Sequence, residues 1–231
     1  MRTLSFSRAL ALSAGVIVSS AAMALSLADL SSADASAGLK AALEKGSVAA
    51  LSKLGAENGF FGNPQVKIPL PGVLEKAGPL LQMTGYGKQL DDLVLAMNRA
   101  AESAVPQAKP LLLNAVKSMT VSDAKKILAG GETSVTDFFR EKTATPLSKK
   151  FLPIVKGVTD RSGLSTQYNN TVGQVAKFNV VPEQQATVEG YVTHRALDGL
   201  FLMIGEEEKK IRRDPLGAGS SIIGKVFGSL K

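Results

Sequence analysis

The 231-residue chain has no cysteine and a single histidine, His194. The first absence excludes disulfides, so the core must hold by packing alone. The two together exclude most transition-metal sites, which draw on thiolate and imidazole, and every Cys–His nucleophile pair. No cofactor and no metal is therefore expected. There is no interleaving of basic with aromatic residues, no zinc-finger spacing and no RNA-binding signature, which argues against nucleic acid as a partner. After residue 24 no stretch is long and charge-free enough to span a bilayer, which takes about 20 apolar residues. G-x-S-x-G, H-E-x-x-H, P-loop and EF-hand patterns are also missing. Gly85-Tyr86-Gly87 is a turn, with no strand before it and no third glycine in register. A Ser–His–Asp triad would have to use His194, with Asp198 at i+4, but no strand-to-helix turn presents a serine.

What is present begins with an export signal. Arg2 and Arg8 form a positive region, Ala9–Val18 a short apolar core, and Ala22-Met23-Ala24 fits the small-x-small cleavage rule. Residues 1–24 are expected to be a cleaved signal peptide, the alternative being an uncleaved anchor. The formal charge is +7; without Arg2 and Arg8, 25 basic face 20 acidic residues, leaving +5. That mild excess suits a soluble protein and favours anionic surfaces. Residues 25–35 read as a flexible leader, and 36–231 as one domain.

Apolar spacing predicts helices over most of that domain. The first, Ser36–Leu54, carries Leu39, Leu43, Ala50, Leu51 and Leu54 on one stripe. Between Gly59 and Gly72 six glycines and prolines forbid a regular helix, and Val66, Ile68 and Leu70 alternate with polar or proline positions. This reads as an extended arm anchored by Phe60 and Phe61, either a packed connector or the rim of a groove. Val73–Met83 is a short helix, and Lys88–Val105 a long one that is apolar around most of its circumference and hence central. Its Asn98 and Glu102, at i, i+4, and its Arg99 are candidate partners for carboxylates elsewhere.

Further helices follow at Pro110–Met119, after a Thr120–Asp123 capping box, after a similar Ser134–Asp137 box, from an N-cap Thr145 with Pro146 at N1, and over Ser165–Phe178. Pro182 precedes the final long helix, Thr187–Arg213. Residues 216–231 form a hinged amphipathic tail, with Ile222, Ile223, Val226, Phe227 and Leu230 on one face. That face either docks on the body or makes a peripheral membrane contact through 222–230. The expected fold is all-α: a single compact multi-helix domain with one extended Pro/Gly-rich arm.

The stretch Tyr191–Pro215 carries the densest charge. With Leu197 at zero on a helical wheel, Leu200, Phe201, Ile204 and Ile211 lie within about 60°. Glu208 falls at about 20°, inside this stripe, and Glu206 at about 180°, facing away. Asp198 and His194 sit at its edge. A carboxylate on a core face must be paired or neutral, and Arg212, one turn on, or Arg99 of the Lys88–Val105 helix is the expected partner of Glu208. The pair is either structural or part of a pocket.

YVTHRALDGLF followed by EEEKKIRRDP resembles the C-terminal signature of the bacterial domain-of-unknown-function family 4197. Gly59–Pro71, Met97–Pro110 and Ala129–Phe139 resemble further blocks of that family, in order. The resemblance implies an exported, mostly helical domain of Gram-negative bacteria and brings no assigned activity. Some relatives carry a lipobox cysteine; this chain has none, so no lipid anchor is carried over, and His194 departs from the family pattern.

The leading functional reading is a non-catalytic periplasmic binding module for a partner protein or an apolar or anionic ligand. Its candidate binding residues are Phe60, Phe61, Asn98, Arg99, Glu102, Asp198, Glu208 and Arg212, with the surface where the arm meets the two longest helices. The alternative is a carboxylate-dependent enzyme acting on a cell-envelope substrate, with Glu208 as acid and Asp198 or Glu102 as its partner.

Overall fold

The structure, a computed structural model, describes residues 31–131, 133–176 and 186–228. The expected signal peptide, Phe178 and Pro182 lie outside these residues. In order, the elements are α1 (Ser32–Leu54), α2 (Gly72–Met83), α3 (Gly87–Ala104), a 3-10 turn (Val105–Ala108), α4 (Lys109–Ser118), α5 (Val121–Ala129), α6 (Ser134–Thr159), α7 (Gly163–Ala176), α8 (Val188–Arg213) and α9 (Ser221–Gly228). Among the described residues there is no strand, and the fold is all-α as the spacing predicts.

Capping chemistry sets several helix starts. Ser31 accepts the Asp34 N–H through its hydroxyl at 3.0 Å, so α1 begins at Ser32 rather than Ser36. The Thr120–Asp123 box opens α5 with both reciprocal bonds in place, at 3.1 and 3.0 Å. Thr187 caps α8 by accepting the Gly190 N–H at 3.1 Å.

Two expected starts are corrected. Ser134 does not cap a helix: it lies inside α6, and its hydroxyl donates back to the carbonyls of Ile127 and Gly131. Thr145-Pro146 does not open a new helix either, because α6 runs unbroken through Pro146 and Pro153. An interior proline deletes one i→i−4 bond. Here both prolines face solvent, and the carbonyls they leave unbonded belong to Lys142 and Lys149, which are exposed to water. Meanwhile Phe139, Thr143, Leu147, Phe151 and Val155 share the buried side, and their packing outweighs the local helix-breaking signal.

The core is built around α3, α6 and α8, with α1 laid along α8. On α8 the predicted stripe is buried throughout, and α3 buries Leu90, Leu93, Met97, Ala100, Ala101 and Ala104 while Leu95 faces out. The amphipathic tail helix α9 docks: Ile223, Val226 and Phe227 are buried against the body, while Leu230 of the same predicted face lies outside the described residues. The approach to α1 is closest at Gly38, where an added Cβ would overlap Val226 and lie 2.9 Å from the Ile222 carbonyl oxygen.

Candidate functional site

The sequence-predicted residues fall into three separate groups. The first is the junction of α3 with the irregular segment between α1 and α2. That segment is a chain of turns through Val66 and has no regular secondary structure over 67–71. Phe60 and Ile68 are fully buried there, yet their backbone groups have no helix or sheet to join. Asn98 and Glu102, one turn apart on α3, supply the partners. Asn98 Oδ1 accepts the Ile68 N–H at 2.9 Å, and its Nδ2 donates to the carbonyls of Ile68 (2.9 Å) and Val94 (2.8 Å). Glu102 Oε1 accepts the N–H groups of Phe60 (3.0 Å) and Phe61 (3.1 Å), while Oε2 holds Arg99 at 2.6 Å.

Arg99 also reaches Glu57 at 3.2 Å and the side chain of Asn58 at 2.9 Å. Asn58 takes the left-handed φ of 64° that begins the turn, a conformation asparagine tolerates. Phe60 and Val66 pack on Gly199 of α8, where a Cβ would come within 2.8 Å of the Phe60 ring. Phe61 is half-buried, with Lys67 Nζ 4.4 Å from its ring centre. Asn98, Arg99 and Glu102 therefore do not meet carboxylates of α8: the unsatisfied backbone of the arm takes them up first.

The second group lies at the far end of α8. Glu208 is 2% exposed and pairs with Arg212, as its place on the wheel predicts. Arg212 in turn donates to the Ile127 carbonyl at 3.2 Å and lies over the Phe227 ring at 5.5 Å. The pair thus ties α8 to α5 and α9. Glu206 faces outward with Lys209 at 3.2 Å. Glu207 lies between Lys53 (2.6 Å) and Lys210 (2.8 Å). Burial works to raise its pKa, but the two lysines prevail and hold it below the ordinary glutamate range.

The third group, around Asp198, opens to solvent. A cleft of about 530 Å³ runs between α6 and α8, within the range of about 300–1,000 Å³ usual for small-molecule sites. Its apolar wall is Leu152, Leu197 and Phe201. Asp198 stands at one side with both oxygens engaged: Oδ1 accepts from Arg140 Nη1 at 2.9 Å, and Oδ2 lies 3.1 Å from His194 Nδ1. The Arg140 guanidinium lies over the Phe201 ring at 5.1 Å. Beyond His194 a second cleft, of about 470 Å³, is lined by Glu75, Tyr191 and Arg195.

Thr193 lines the α6–α8 cleft at 3% exposure, and its hydroxyl has no hydrogen-bond partner. A mid-helix threonine commonly donates to the carbonyl four residues back. The buried threonines of α6 do so, Thr143 to Phe139 at 2.6 Å and Thr159 to Val155 at 3.1 Å. Sequence reasoning missed Thr193 and Arg140. Thr193 was legible, since it precedes Leu197 by one turn, about 40° from it and inside the apolar stripe. Arg140 carried no signal, because only the crossing of α6 over α8 brings it to Asp198.

Among the described residues no group of three or more His, Asp or Glu side chains approaches a metal-site geometry, and no helix is long and apolar enough to cross a membrane. A family model described as "Protein of unknown function (DUF4197)" matches residues 29–228. The chain belongs to this family. The match takes in every helix described above, so the DUF4197 domain of this protein includes the α6–α8 cleft, the arm and the docked tail. No curated protein and no solved structure matches the chain.

Proposed function

We propose that this DUF4197 protein is a non-catalytic binding module of the Gram-negative cell envelope, and that its ligand sits in the cleft between α6 and α8. The observation that carries this reading is Thr193. A buried hydroxyl without a partner costs about 1–3 kcal/mol, and Thr193 lines a cleft of about 530 Å³ with an apolar wall and a cation stacked on that wall. An apolar hollow with a few placed polar groups is the usual form of a ligand site. A carboxylate enzyme would need two acids converging on one space. Glu102, Asp198 and Glu208 instead serve the arm, the cleft and the α5–α9 contact respectively, which favours binding over catalysis.

The envelope location rests on the Met1–Ala24 pattern, and cleavage after Ala24 predicts a mature chain whose intact mass begins at Leu25. Mass spectrometry of compounds released from the full chain purified from a Gram-negative periplasm tests the binding reading. Leu152 is 42% exposed on the cleft wall, so Leu152→Arg fills the space without disturbing the core. A compound carried by the native chain and missing from Leu152→Arg is expected. Identical compounds from both, or none from either, would overturn the reading.

A further inference from the structure

The charged hydrogen-bonding capacity left over in the α6–α8 cleft is of one kind. Asp198, its carboxylate, already holds Arg140 and His194 on its two oxygens. Arg140 has five N–H donors and, among the described residues, gives one hydrogen bond, from Nη1 to Asp198. Thr193 contributes an unbonded hydroxyl. The hydroxyls of Thr145, Ser148 and Thr193 that line the cleft can donate or accept, so the charged group with capacity to spare is the donor Arg140 and not a carboxylate. An amine would find no carboxylate to itself. A plain hydrocarbon would leave the buried Thr193 hydroxyl unpaired, keeping its desolvation cost.

The guanidinium is also fixed in place, stacked over Phe201 and tethered to Asp198. A planar fork held in advance loses little freedom on binding and matches the two oxygens of a carboxylate. The charge is permissive: Arg140 and Asp198 cancel, and the exposed His194 adds no negative charge. Beside these donors lie Leu152, Leu197 and Phe201, a wall with no polar atom in its side chains.

We infer that the α6–α8 cleft takes an aliphatic carboxylate, with its chain along Leu152, Leu197 and Phe201 and its head held by the Thr193 hydroxyl and the uncommitted N–H groups of Arg140. This deepens the binding reading above and rests on it. Because the head is a free carboxylate, the ligand is a free fatty acid or similar aliphatic acid, not the esterified chain of a membrane lipid.

Titration calorimetry of the full chain with decanoate, methyl decanoate and 1-decanol tests the assignment. Decanoate is expected to bind at least about tenfold tighter than the ester or the alcohol, as befits hydrogen bonds to a charged group. Arg140→Gln should remove that advantage while leaving ester binding unchanged. Thr193→Val, an isostere that loses only the hydroxyl, should weaken decanoate by about tenfold. Leu152→Arg should abolish all three. If methyl decanoate binds as tightly as decanoate, or Arg140→Gln leaves decanoate unaffected, the carboxylate assignment falls and the cleft survives as a site. If none of the three binds while a compound still co-purifies and is lost from Leu152→Arg, the ligand class is again wrong but the site stands. If Leu152→Arg alters neither titration nor co-purification, both are wrong.

Discussion

Asn98 and Thr193 are both buried polar side chains in the middle of long helices, and they differ in what becomes of their hydrogen-bonding capacity. Asn98 uses its oxygen and both hydrogens of its amide, joining α3 to the backbone of Ile68 and to Val94. Thr193 uses nothing. At the arm a backbone that can join neither helix nor sheet has recruited side chains to satisfy it, and Asn98 is fully buried there. At the α6–α8 crossing the polar groups outnumber their internal partners and a hollow remains. A buried polar group near an irregular segment is thus no sign of a site by itself; the sign is capacity left over beside open space.

The comparison predicts opposite responses to mutation. The largest effect should come from Glu102→Ala. It strips the partner from two backbone N–H groups and leaves Arg99 with only Glu57 and Asn58, and should cost about 4 kcal/mol in urea denaturation. Asn98→Leu, which leaves the Ile68 N–H and C=O unpaired, should cost on the order of 3 kcal/mol. Losses below about 1 kcal/mol for both would mean that water reaches the arm backbone and the junction is not closed.

Next in size is the Glu208–Arg212 pair. Glu208→Ala leaves a half-buried cation against Ile127 and Phe227 and should cost about 3 kcal/mol, whereas Glu206→Ala, on the outer face, should stay within about 0.5 kcal/mol. Equal effects would contradict the assignment of one face to the core and the other to water. Gly38→Ala should be milder, about 1–3 kcal/mol as the docked α9 shifts to admit a methyl group. Limited proteolysis should then cut first between α8 and α9; unchanged protection would show that α9 does not depend on that close approach.

The helices were legible because apolar spacing and caps act locally, and the stripe on α8 placed Glu208 in the core; of its two candidate cations Arg212 pairs with it and Arg99 goes to Glu102. The continuous α6 was not legible, because the penalty of Pro146 and Pro153 is local while the packing that overrides it is tertiary. The segment between α1 and α2 has no helix or strand, but its turns, which depend on Asn58 and on bonds to Asn63, were not legible in an expected extended arm. Of the candidate residues, only Asp198 lines the α6–α8 cleft. Asn98 and Glu102 stood out in sequence as polar groups on a buried face, a property that structural and ligand-binding residues share. Telling them apart requires knowing which backbone lies opposite.

A smaller effect separates paired from free groups by pH. Glu207 is held below its ordinary pKa by Lys210 and Lys53 against the opposing pull of burial. A carboxylate whose folded pKa is depressed contributes stability that is complete above its unfolded value of about 4.3. That contribution is lost as the pH falls through the lower folded value. Glu207→Gln should therefore flatten the fall in stability on the acid side of about pH 4.3 and leave the neutral-to-alkaline profile unchanged. An unchanged acid slope would mean the two lysines do not favour the folded carboxylate.

The smallest effect, and the sharpest against the arm, is Thr193→Val. Where a buried hydroxyl is bonded, its loss destabilises: Thr143→Val should cost about 1 kcal/mol by removing the 2.6 Å bond to the Phe139 carbonyl. At Thr193 there is no bond to lose, and valine keeps the shape while removing a group that is out of water and unpaired. The ligand-free chain should therefore be unchanged or more stable by up to about 1 kcal/mol, read from its urea midpoint at constant m. Helix propensity hardly distinguishes the two residues, so it cannot mask the sign. A loss of about 1 kcal/mol or more would show that the hydroxyl is already satisfied in solution, by water or by rotation toward the Glu189 carbonyl, and Thr193 would then be one more internally paired threonine rather than the donor left for a ligand.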